Sequence, residues 1–507
     1  MKKTILVFVI ILFIKLVLQH FLINPVYDLQ RDEYLHLDQG KHLAWGYISV
    51  PPMTSWVSYL INLLGNGVFW VKFFPVFFGS LTILLVWKMV EELNGKWFAL
   101  ALASLATLTS VLLRINILYQ PNSTDIFFWT LVYFTVIKFI STENPRWLLI
   151  AGLSIGFGIL SKYNIVFLLV GLLPALLLSE HRKILREGNF YLGVAIALII
   201  VLPNILWQVN NHFPTLHQLN ELSATQLVNF DRIDFIKNQF LFFINSFFII
   251  VAAFIGLLFY KPLSKYRFFV WSYLIVIAAY IYFRAKSYYA IGLYPVLIAL
   301  GSVYLEKILA FGWKRVLKPV LILLVMVLAI PFVMIAFPIR TPEQIEAHSQ
   351  LYKKFGMLRW EDGKDHSLPQ DFADMMGWKE LAEKTDSVYN QVSEKQNTLV
   401  LCDNYGEAGA INYYSKFKNI NAVTMNADYI NWFALDKPIK NVILIQEASD
   451  DDPNRKREKP WFDAVGLVGG IENPYSREQG TKIYLLKGAK TNINSIVEQE
   501  IEKNKNH

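Results

Sequence analysis

The chain has 507 residues, of which 54% are hydrophobic and 17% are charged, whereas about 25% of the residues in an average globular domain are charged. Its net charge is +8, but the basic residues lie largely in short gaps between apolar runs, and no nucleic-acid recognition motif accompanies them. The single cysteine, Cys402, excludes an intramolecular disulfide and a cysteine-based metal site. These features exclude an ordinary soluble protein and a nucleic-acid partner.

Long apolar runs alternate with short polar gaps as far as residue 338. A membrane span needs about 20 apolar residues, and the pattern predicts about eleven spans. Their limits are 4–24, 67–88, 97–113, 124–141, 147–160, 164–179, 190–207, 240–260, 268–283, 289–306 and 317–337. The two short neighbours, 147–160 and 164–179, are either a helical pair or one broken element. The N-terminus resembles a signal peptide without a cleavage site, so an uncleaved first span is expected.

The charges predict an orientation. With Lys2 and Lys3 inside, alternation of the spans places nearly every dense basic gap on the cytoplasmic side. We therefore expect a multi-pass protein of the cell inner (plasma) membrane, with a transmembrane domain over 1–338 and a soluble extracytoplasmic domain over 339–507. Two outer loops, 25–66 and 208–239, are too long for connectors and too aromatic for disorder, which favours a functional role.

Acidic residues mark two places on the predicted outer side. Asp32 and Glu33 lie in the first outer loop, where adjacent carboxylates are either the solvated start of a loop or a general base with its partner. Asp125 opens a span, where it either complements the helix dipole or takes part in chemistry. The residue types alone leave both alternatives open.

Four cations lie on the same predicted side: Arg114, Lys162, Arg284 and Lys286. Snorkelling at the membrane interface accounts for each of them separately. Several cations at one depth also suit a phosphate anchored to a lipid.

Histidines and aromatic residues accompany these charges, but they match no metal pattern. His36, His42 and His212 have no recognised ligand spacing, so loop histidines are the simpler interpretation. No metal site and no definite cofactor are predicted, and the sequence leaves a divalent metal open. The segment 203–214 combines amides with aromatic residues, and an interfacial aromatic belt explains only its aromatic residues.

Several of these segments resemble glycosyltransferase family 39, the protein-mannosyltransferase and aminoarabinose-transferase-like branch of the GT-C superfamily. The segments of the membrane part are Asp32-Glu33 with 42–47 and Pro51-Pro52, the glycine-spaced 152–163, and 286–289 with Tyr294-Pro295. In the tail, 368–378 and 404–410 resemble the extracytoplasmic domain of many bacterial members. The chain departs from the pattern at Val50, where members often have a histidine. A positioning role for that histidine would be absent or moved here.

The resemblance implies a GT-C-type helical bundle that passes a sugar from a polyprenyl-phosphate donor in the membrane to a lipid, glycan or protein acceptor at the outer face, by inverting single displacement. It implies Asp32 as the base, Glu33 as the alternative or an orienting partner, and Asp125 as the second acidic residue. The implied phosphate-binding residues are Lys162, Lys286, Arg284 and Arg114. The implied substrate-binding residues are Tyr163, Tyr288, Tyr289, His42 and His212.

The soluble tail predicts a small α/β domain. Residues 378–392 indicate an amphipathic helix, while 398–402, 441–445 and 482–486 indicate strands. The glycines of 406–409 follow a strand, but their spacing matches neither standard phosphate-binding fingerprint. Acceptor recognition or a lid is favoured instead.

Two alternatives to an enzyme stay open: a membrane transporter or lipid flippase, and a non-catalytic relative. A transporter places ionisable groups near the bilayer midplane in repeated halves, whereas the polar motifs here cluster at one surface. Asp32, Glu33, Asp125 and Lys162 are all present, which argues against a non-catalytic relative.

Overall fold

The structure is a computed structural model that describes residues 2–225 and 231–505. Residues 226–230, within the predicted loop 208–239, lie outside the described residues. The α-helices in chain order are α1 (Lys2–Leu22), α2 (Arg31–Gln39), α3 (Met53–Leu63), α4 (Val68–Glu92), α5 (Trp97–Leu108), α6 (Val111–Ile115), α7 (Asn122–Thr142), α8 (Arg146–Ser161), α9 (Ile165–Leu177), α10 (Gly188–Asn210), α11 (Pro214–Thr225), α12 (Arg232–Leu241), α13 (Phe247–Phe259), α14 (Phe268–Tyr282), α15 (Tyr294–Ile308), α16 (Leu317–Ala336), α17 (Pro342–Ala347), α18 (Ser349–Lys354), α19 (Gln370–Ala373), α20 (Trp378–Gln391), α21 (Tyr405–Tyr414) and α22 (Ile493–Lys505).

Every predicted span coincides with helical structure, in the predicted order, which confirms a mainly helical multi-pass architecture. Within the described ranges, six helical segments are long and apolar enough to cross a membrane: Thr4–Leu22, Val68–Glu92, Asn122–Thr142, Gly188–Asn210, Ser287–Ile308 and Gly312–Ala336. A seventh candidate is α9 followed by a short 3₁₀ helix, Glu180–Arg186, with a bend of 106° between them. Because α5, α8, α13 and α14 are shorter, the count of eleven stays a prediction.

The chain forms two compact units. The membrane unit comprises Met1–Ile23, Ala44–Thr54 and Gly67–Ile339, and the second unit comprises Asn24–Leu43, Ser55–Asn66 and Arg340–His507. Much of the first long loop therefore packs with the C-terminal part of the chain, whereas the hydropathy pattern predicts that the loop belongs to the transmembrane domain. The boundary after residue 338 stays a prediction.

Close helix packing in the membrane unit explains the glycine-spaced motif. A Cβ atom at Gly152 of α8 would lie 2.2 Å from the carbonyl oxygen of Gly193 on α10. A Cβ atom at Gly156 would lie 3.0 Å from the Cβ of Ile200, about two turns further along α10. Small residues let helix backbones approach closely in membranes, where dispersion contacts drive association. The glycines thus allow α8 and α10 to pack closely, and this packing fixes the position of the C-terminal end of α8.

The second unit contains a five-stranded sheet in the order β2-β1-β3-β5-β4. The strands are β1 (Thr398–Cys402), β2 (Ala422–Thr424), β3 (Asn441–Gln446), β4 (Phe462–Gly470) and β5 (Lys482–Ala489). Strands β2, β1 and β3 run parallel, while β5 pairs antiparallel with both β3 and β4. Parallel strands need a crossover connection, usually a helix, and α21 lies in the crossover from β1 to β2. The predicted strands at 398–402, 441–445 and 482–486 and the predicted helix at 378–392 are confirmed.

Two glycines on α21 allow helix α2 to pack closely against it within this unit. A Cβ atom at Gly406 would lie 2.6 Å from the Cγ atom of Arg31. At Gly409 it would lie 2.6 Å from both the Cβ of Tyr34 and the hydroxyl oxygen of Tyr429. These distances are too short for any real Cβ contact. The glycines of 406–409 therefore serve helix packing.

Gly409→Ala is expected to destabilise the second unit by about 1–3 kcal/mol, because overpacking forces shifts in a close-packed interior. The temperature of unfolding of the full-length protein is the measurement. Gly466→Ala is the control, since a Cβ atom there would meet open space. Equal stability of the two variants would contradict the packing role.

Candidate functional site

Lys162 lies at the break between α8 and α9 in the membrane unit. Its backbone is extended, with φ −160° and ψ 133°, where α8 ends. The Nζ atom donates a hydrogen bond of 2.6 Å to the side-chain oxygen of Asn122. It also lies 4.5 Å from the ring centroid of Tyr289 and 5.1 Å from that of Tyr288. Two aromatic faces and an amide therefore hold this half-buried ammonium group, and the carboxylate of Asp125 is close enough to act on it electrostatically.

Asp125 lies in the same polar region but is enclosed by the protein. Its side chain is 4% exposed. One carboxylate oxygen accepts a 3.0 Å hydrogen bond from the Trp129 indole, and the other accepts a 2.8 Å bond from the Asn164 amide. The Asn164 amide also donates to the Tyr289 carbonyl at 3.1 Å, and its oxygen accepts from the Tyr280 hydroxyl at 2.7 Å. The network fixes the segment just after Lys162 against the segment carrying Tyr289.

Asp125→Asn is expected to destabilise the membrane unit by about 1–3 kcal/mol, because one of two buried donors would then face an amide N–H instead of an oxygen. The measurement is the thermal unfolding midpoint in detergent. Asp234→Asn is the control, since Asp234 is exposed on α12. Unchanged stability of Asp125→Asn would show that the network does not need the carboxylate.

Tyr163 is fixed by the amides of α10. Its hydroxyl donates to the Asn204 side chain at 2.9 Å and accepts from the Gln208 amide at 3.1 Å. The Asn204 amide in turn donates to the Trp45 carbonyl at 2.7 Å, and Gly46 lies directly against the ring of Trp207. This network explains two of the amides of segment 203–214, Asn204 and Gln208, which an aromatic belt did not.

The remaining predicted cations of the membrane unit have different settings. Arg114 lies on the short helix α6 and Lys286 is half-buried immediately before a 3₁₀ helix, Ser287–Leu293. Arg284 is exposed and has a positive φ of 52°. The structure thus groups Lys162 with Asp125, Tyr288 and Tyr289. Lys286 is two residues from Tyr288 along the chain.

His212 lies in the turn between α10 and α11. It is exposed, with a positive φ of 60°. His42, in the second unit, stacks on Trp432 with ring centroids 4.3 Å apart, and partial burial lowers the pKa of His42. Neither histidine belongs to a cluster, and no group of three or more His, Cys, Asp or Glu side chains in residues 2–225 and 231–505 is arranged to hold a metal ion.

Asp32 and Glu33 open helix α2 in the second unit, but their environments differ. Glu33 is fully buried and completes a capping box, in which its carboxylate accepts from the Gln30 backbone N–H at 2.7 Å. Asp32 is half-buried, and its Oδ1 atom accepts a 2.8 Å hydrogen bond from the Tyr405 hydroxyl. The capping role accounts for Glu33, so Asp32 is the better candidate for an acid–base function.

A buried polar cluster forms the N-terminus of α21. Asn404 caps the helix, and Glu407 accepts backbone hydrogen bonds from Asp403 at 3.0 Å and Asn404 at 3.3 Å. The Thr481 hydroxyl donates to the other oxygen of Glu407 at 3.3 Å. Protein groups thus satisfy the first backbone N–H groups of this helix. Burial, followed by the charge of Glu478, raises the pKa of Glu407.

The stability of the second unit is expected to fall as the pH rises above 4.5, the ordinary pKa of a glutamate side chain. Because the pKa of Glu407 is raised only in the folded state, its contribution is complete below its ordinary pKa of 4.5 and is lost as the proton leaves. Glu407→Gln should therefore lose less stability than the wild type as the pH rises above 4.5. The measurement is the unfolding midpoint against pH, with the exposed Glu383→Gln as control. Identical slopes for wild type and Glu407→Gln would contradict the assignment.

Comparison with known proteins places these residues in context. The family model described as dolichyl-phosphate-mannose-protein mannosyltransferase matches residues 49–207. The lipid A galacturonosyltransferase RgtD of Rhizobium johnstonii is 24% identical over 198 residues, which are 38% of this chain and 41% of the relative. The lipopolysaccharide core galacturonosyltransferase RgtB of the same organism is 29% identical over 210 residues, which are 39% of this chain and 41% of the relative. The chain thus spans about two fifths of the length of these relatives.

The crystal structure of ArnT from Cupriavidus metallidurans bound to undecaprenyl phosphate is similar over nearly the whole chain. Its TM-score is 0.59 at 12% identity, covering 95% of this chain and 97% of that one. The apo structure of the same protein also has a TM-score of 0.59, at 14% identity. Asp125, Lys162 and Tyr163 lie within the region matched by the family model, whereas Asp32 and Lys286 lie outside it. The resemblance predicted from the sequence motifs is confirmed, and the chain is a multi-pass membrane protein with an ArnT-like fold.

Proposed function

We propose that this protein is a glycosyltransferase that takes a sugar from a polyprenyl-phosphate-linked donor and passes it to a lipid, glycan or protein acceptor. The reaction takes place at the outer face of the cell inner membrane, with residues 339–507 on that side. The acceptor oxygen forms a bond to the anomeric carbon as the bond from that carbon to the phosphate oxygen breaks. The acceptor proton passes to a base, and the bonding electron pair stays on the phosphate. The configuration at the anomeric carbon inverts.

The observation that carries this proposal is the setting of Lys162. Its ammonium group lies at a helix break, beside the buried Asp125, and is held by Asn122 and two tyrosine rings. Such a cation stabilises the negative charge that develops on a leaving phosphate. Lys286, Arg284 and Arg114 are further phosphate-binding candidates, and the hydroxyls of Tyr288 and Tyr289 are candidates for contacts with phosphate or sugar.

The acidic residues divide into distinct proposed roles. Asp32 accepts the acceptor proton, because it is half-buried and not committed to helix capping. Glu33 orients the start of α2 through its capping box. Asp125 positions Asn164 and, through it, the Tyr289 segment. Tyr163, His42 and His212 remain proposed substrate contacts.

The relatives support the substrate class. ArnT of Cupriavidus metallidurans binds undecaprenyl phosphate in its crystal structure, and the two Rhizobium relatives are named for galacturonosyl transfer to lipid A or to the lipopolysaccharide core. A polyprenyl-phosphate donor and an envelope acceptor are therefore the first substrates to test.

The test is incubation of the full-length protein in lipid nanodiscs with a panel of undecaprenyl-phosphate-linked sugars and envelope acceptors. Release of undecaprenyl phosphate, with the sugar appearing on the acceptor, is the expected result. Asp32→Asn is the matched inactive control. If labelled donor instead crosses the bilayer of vesicles intact, with no release of undecaprenyl phosphate from any sugar, the protein is a flippase and the proposal is wrong.

A further inference from the structure

The C-terminal part of the chain contacts the proposed base directly. Tyr405 is the first residue of α21, and its hydroxyl donates a 2.8 Å hydrogen bond to Oδ1 of Asp32. Both residues belong to the second unit. Burial, followed by the charge of Asp32, raises the pKa of Tyr405, so the phenol stays protonated and acts as the donor.

Tyr405 is itself fixed in place. The guanidinium carbon of Arg31 lies 4.4 Å from the Tyr405 ring centroid, which is a cation–π arrangement. The Arg31 side chain also lies 3.9 Å from a carboxylate oxygen of the buried Glu478. Gly406, the next residue of α21, leaves room for Arg31, because a Cβ atom there would occupy its place. The tyrosine ring therefore has a defined position beside α2.

A second tyrosine, Tyr429, contacts helix α2 near its C-terminal end. The Tyr429 hydroxyl donates a 2.8 Å hydrogen bond to Oδ2 of Asp38. Asp38 is six residues after Asp32, which is about 9 Å along a helix axis. The Asn412 amide donates to the same oxygen at 2.8 Å. The Tyr429 contact shares its chemistry with the Tyr405 contact but is remote from the proposed base.

We infer that Tyr405 is a positioning residue for catalysis, which orients the Asp32 carboxylate for proton transfer from the acceptor. The inference rests on the proposed function, in which Asp32 is the base. The terminal torsion of an aspartate is broad and roughly two-fold, so one donor on Oδ1 fixes the plane of the group. A misplacement of about 1 Å in a reacting group lowers the rate by about 100-fold. The C-terminal domain thus takes part in the reaction through one hydroxyl group.

The kinetic test compares Tyr405→Phe with Tyr429→Phe in the full-length protein in nanodiscs, with an undecaprenyl-phosphate-linked sugar that the wild type turns over. Tyr405→Phe is expected to lower kcat by about tenfold or more, with the KM for the donor unchanged. Tyr429→Phe removes an equivalent docking hydroxyl and should keep kcat near the wild-type value. Equal losses in both variants would assign Tyr405 to docking alone, and an unchanged kcat in Tyr405→Phe would overturn the inference.

A spectroscopic test does not depend on turnover. The difference infrared spectrum between wild type and Asp32→Asn isolates the carboxylate stretching band of Asp32. Loss of a hydrogen-bond donor should shift this band in Tyr405→Phe but not in Tyr429→Phe. The same band position in wild type, Tyr405→Phe and Tyr429→Phe would contradict the hydrogen bond between Tyr405 and Asp32.

The outcomes separate this inference from the proposed function. Full activity of Asp32→Asn would remove the base and thus reject the proposed mechanism. An inactive Asp32→Asn beside a fully active Tyr405→Phe would reject only the role of Tyr405. If Tyr405→Phe does not fold, the variant Arg31→Lys tests the role of Tyr405 instead. This substitution weakens the stacking on the Tyr405 ring and keeps the positive charge near Glu478. A lower kcat with unchanged donor KM then supports the inference, and a wild-type kcat overturns it.

Discussion

Asp32→Asn is expected to lower sugar transfer by about 100-fold to about 10,000-fold, the range over which a positioned general base contributes. The amide cannot take up the proton of the acceptor hydroxyl, but it is isosteric and its oxygen can still accept from Tyr405. Transfer should therefore be lost while folding is kept. The measurement is the initial rate of undecaprenyl phosphate release, together with the unfolding midpoint of the same preparation.

Glu33→Gln is the matched control for Asp32→Asn. The glutamine oxygen can still accept the Gln30 backbone N–H and preserve the capping box, so a loss of activity in this variant is not expected. If Glu33→Gln loses transfer and Asp32→Asn keeps it, the roles of the two acids are reversed. Wild-type rates in both variants would remove the acidic pair from the mechanism.

Lys162→Met is expected to weaken binding of undecaprenyl phosphate by about 10-fold to about 100-fold. A hydrogen bond to a charged group contributes about 1.5–3 kcal/mol, and each 1.4 kcal/mol is about a factor of ten in Kd. Methionine keeps an apolar stem of similar length and removes the charge together with the N–H donors, including the one that binds Asn122. The measurement is Kd for undecaprenyl phosphate in nanodiscs, set beside the KM for the acceptor, which should change much less.

Lys237→Met is the control for this loss of charge. Lys237 is exposed on α12 and pairs with Asp234 at 3.1 Å on the same helix, so its removal changes the net charge equally. An unchanged Kd is expected for Lys237→Met. If both variants weaken binding to the same extent, the effect comes from overall charge, and Lys162 does not hold the phosphate.

The predictable part of this structure follows from hydropathy. Apolar runs of span length have few alternatives to a helix in a membrane, because unpaired backbone groups are costly in lipid. For this reason the order of the helices was predictable from sequence, and so were the buried strands 398–402 and 441–445. The short length of α13 was not predictable from hydropathy. The polar turn at Asn245 and Ser246 interrupts an otherwise apolar stretch, so the helix begins later than the apolar run does. Strand β4 was missed because it is an edge strand with mostly exposed residues.

The site was only partly predictable, because its members meet through tertiary contacts. Lys162 and Asp125 stood out as charges in apolar surroundings. Asn164 and Tyr280 carry no charge, and nothing in their spacing indicates that they would join Asp125 to Tyr289. Lys15 was hidden within an apolar run, yet the structure buries it with its Nζ atom 2.6 Å from the Asn116 side-chain oxygen.

The glycines of 406–409 show how one pattern fits two structures. Glycines after a strand suit a phosphate, but they equally suit the close approach of another helix. Only the position of Arg31 and Tyr34 distinguishes the two. Because those residues are far away in sequence, spacing alone does not contain the information.

The pairing of α2 with α21 also affects how the chain is made. Asp32 and Tyr405 are separated by 373 residues, so the ribosome releases α2 long before its partner exists. Throughout that interval Tyr34, which is fully buried in the finished protein, lacks its cover on α21. The acidic helix thus reaches its final environment only near the end of translation, and a ribosome that stalls before β1 leaves a membrane-inserted product whose proposed base has not yet been set in place.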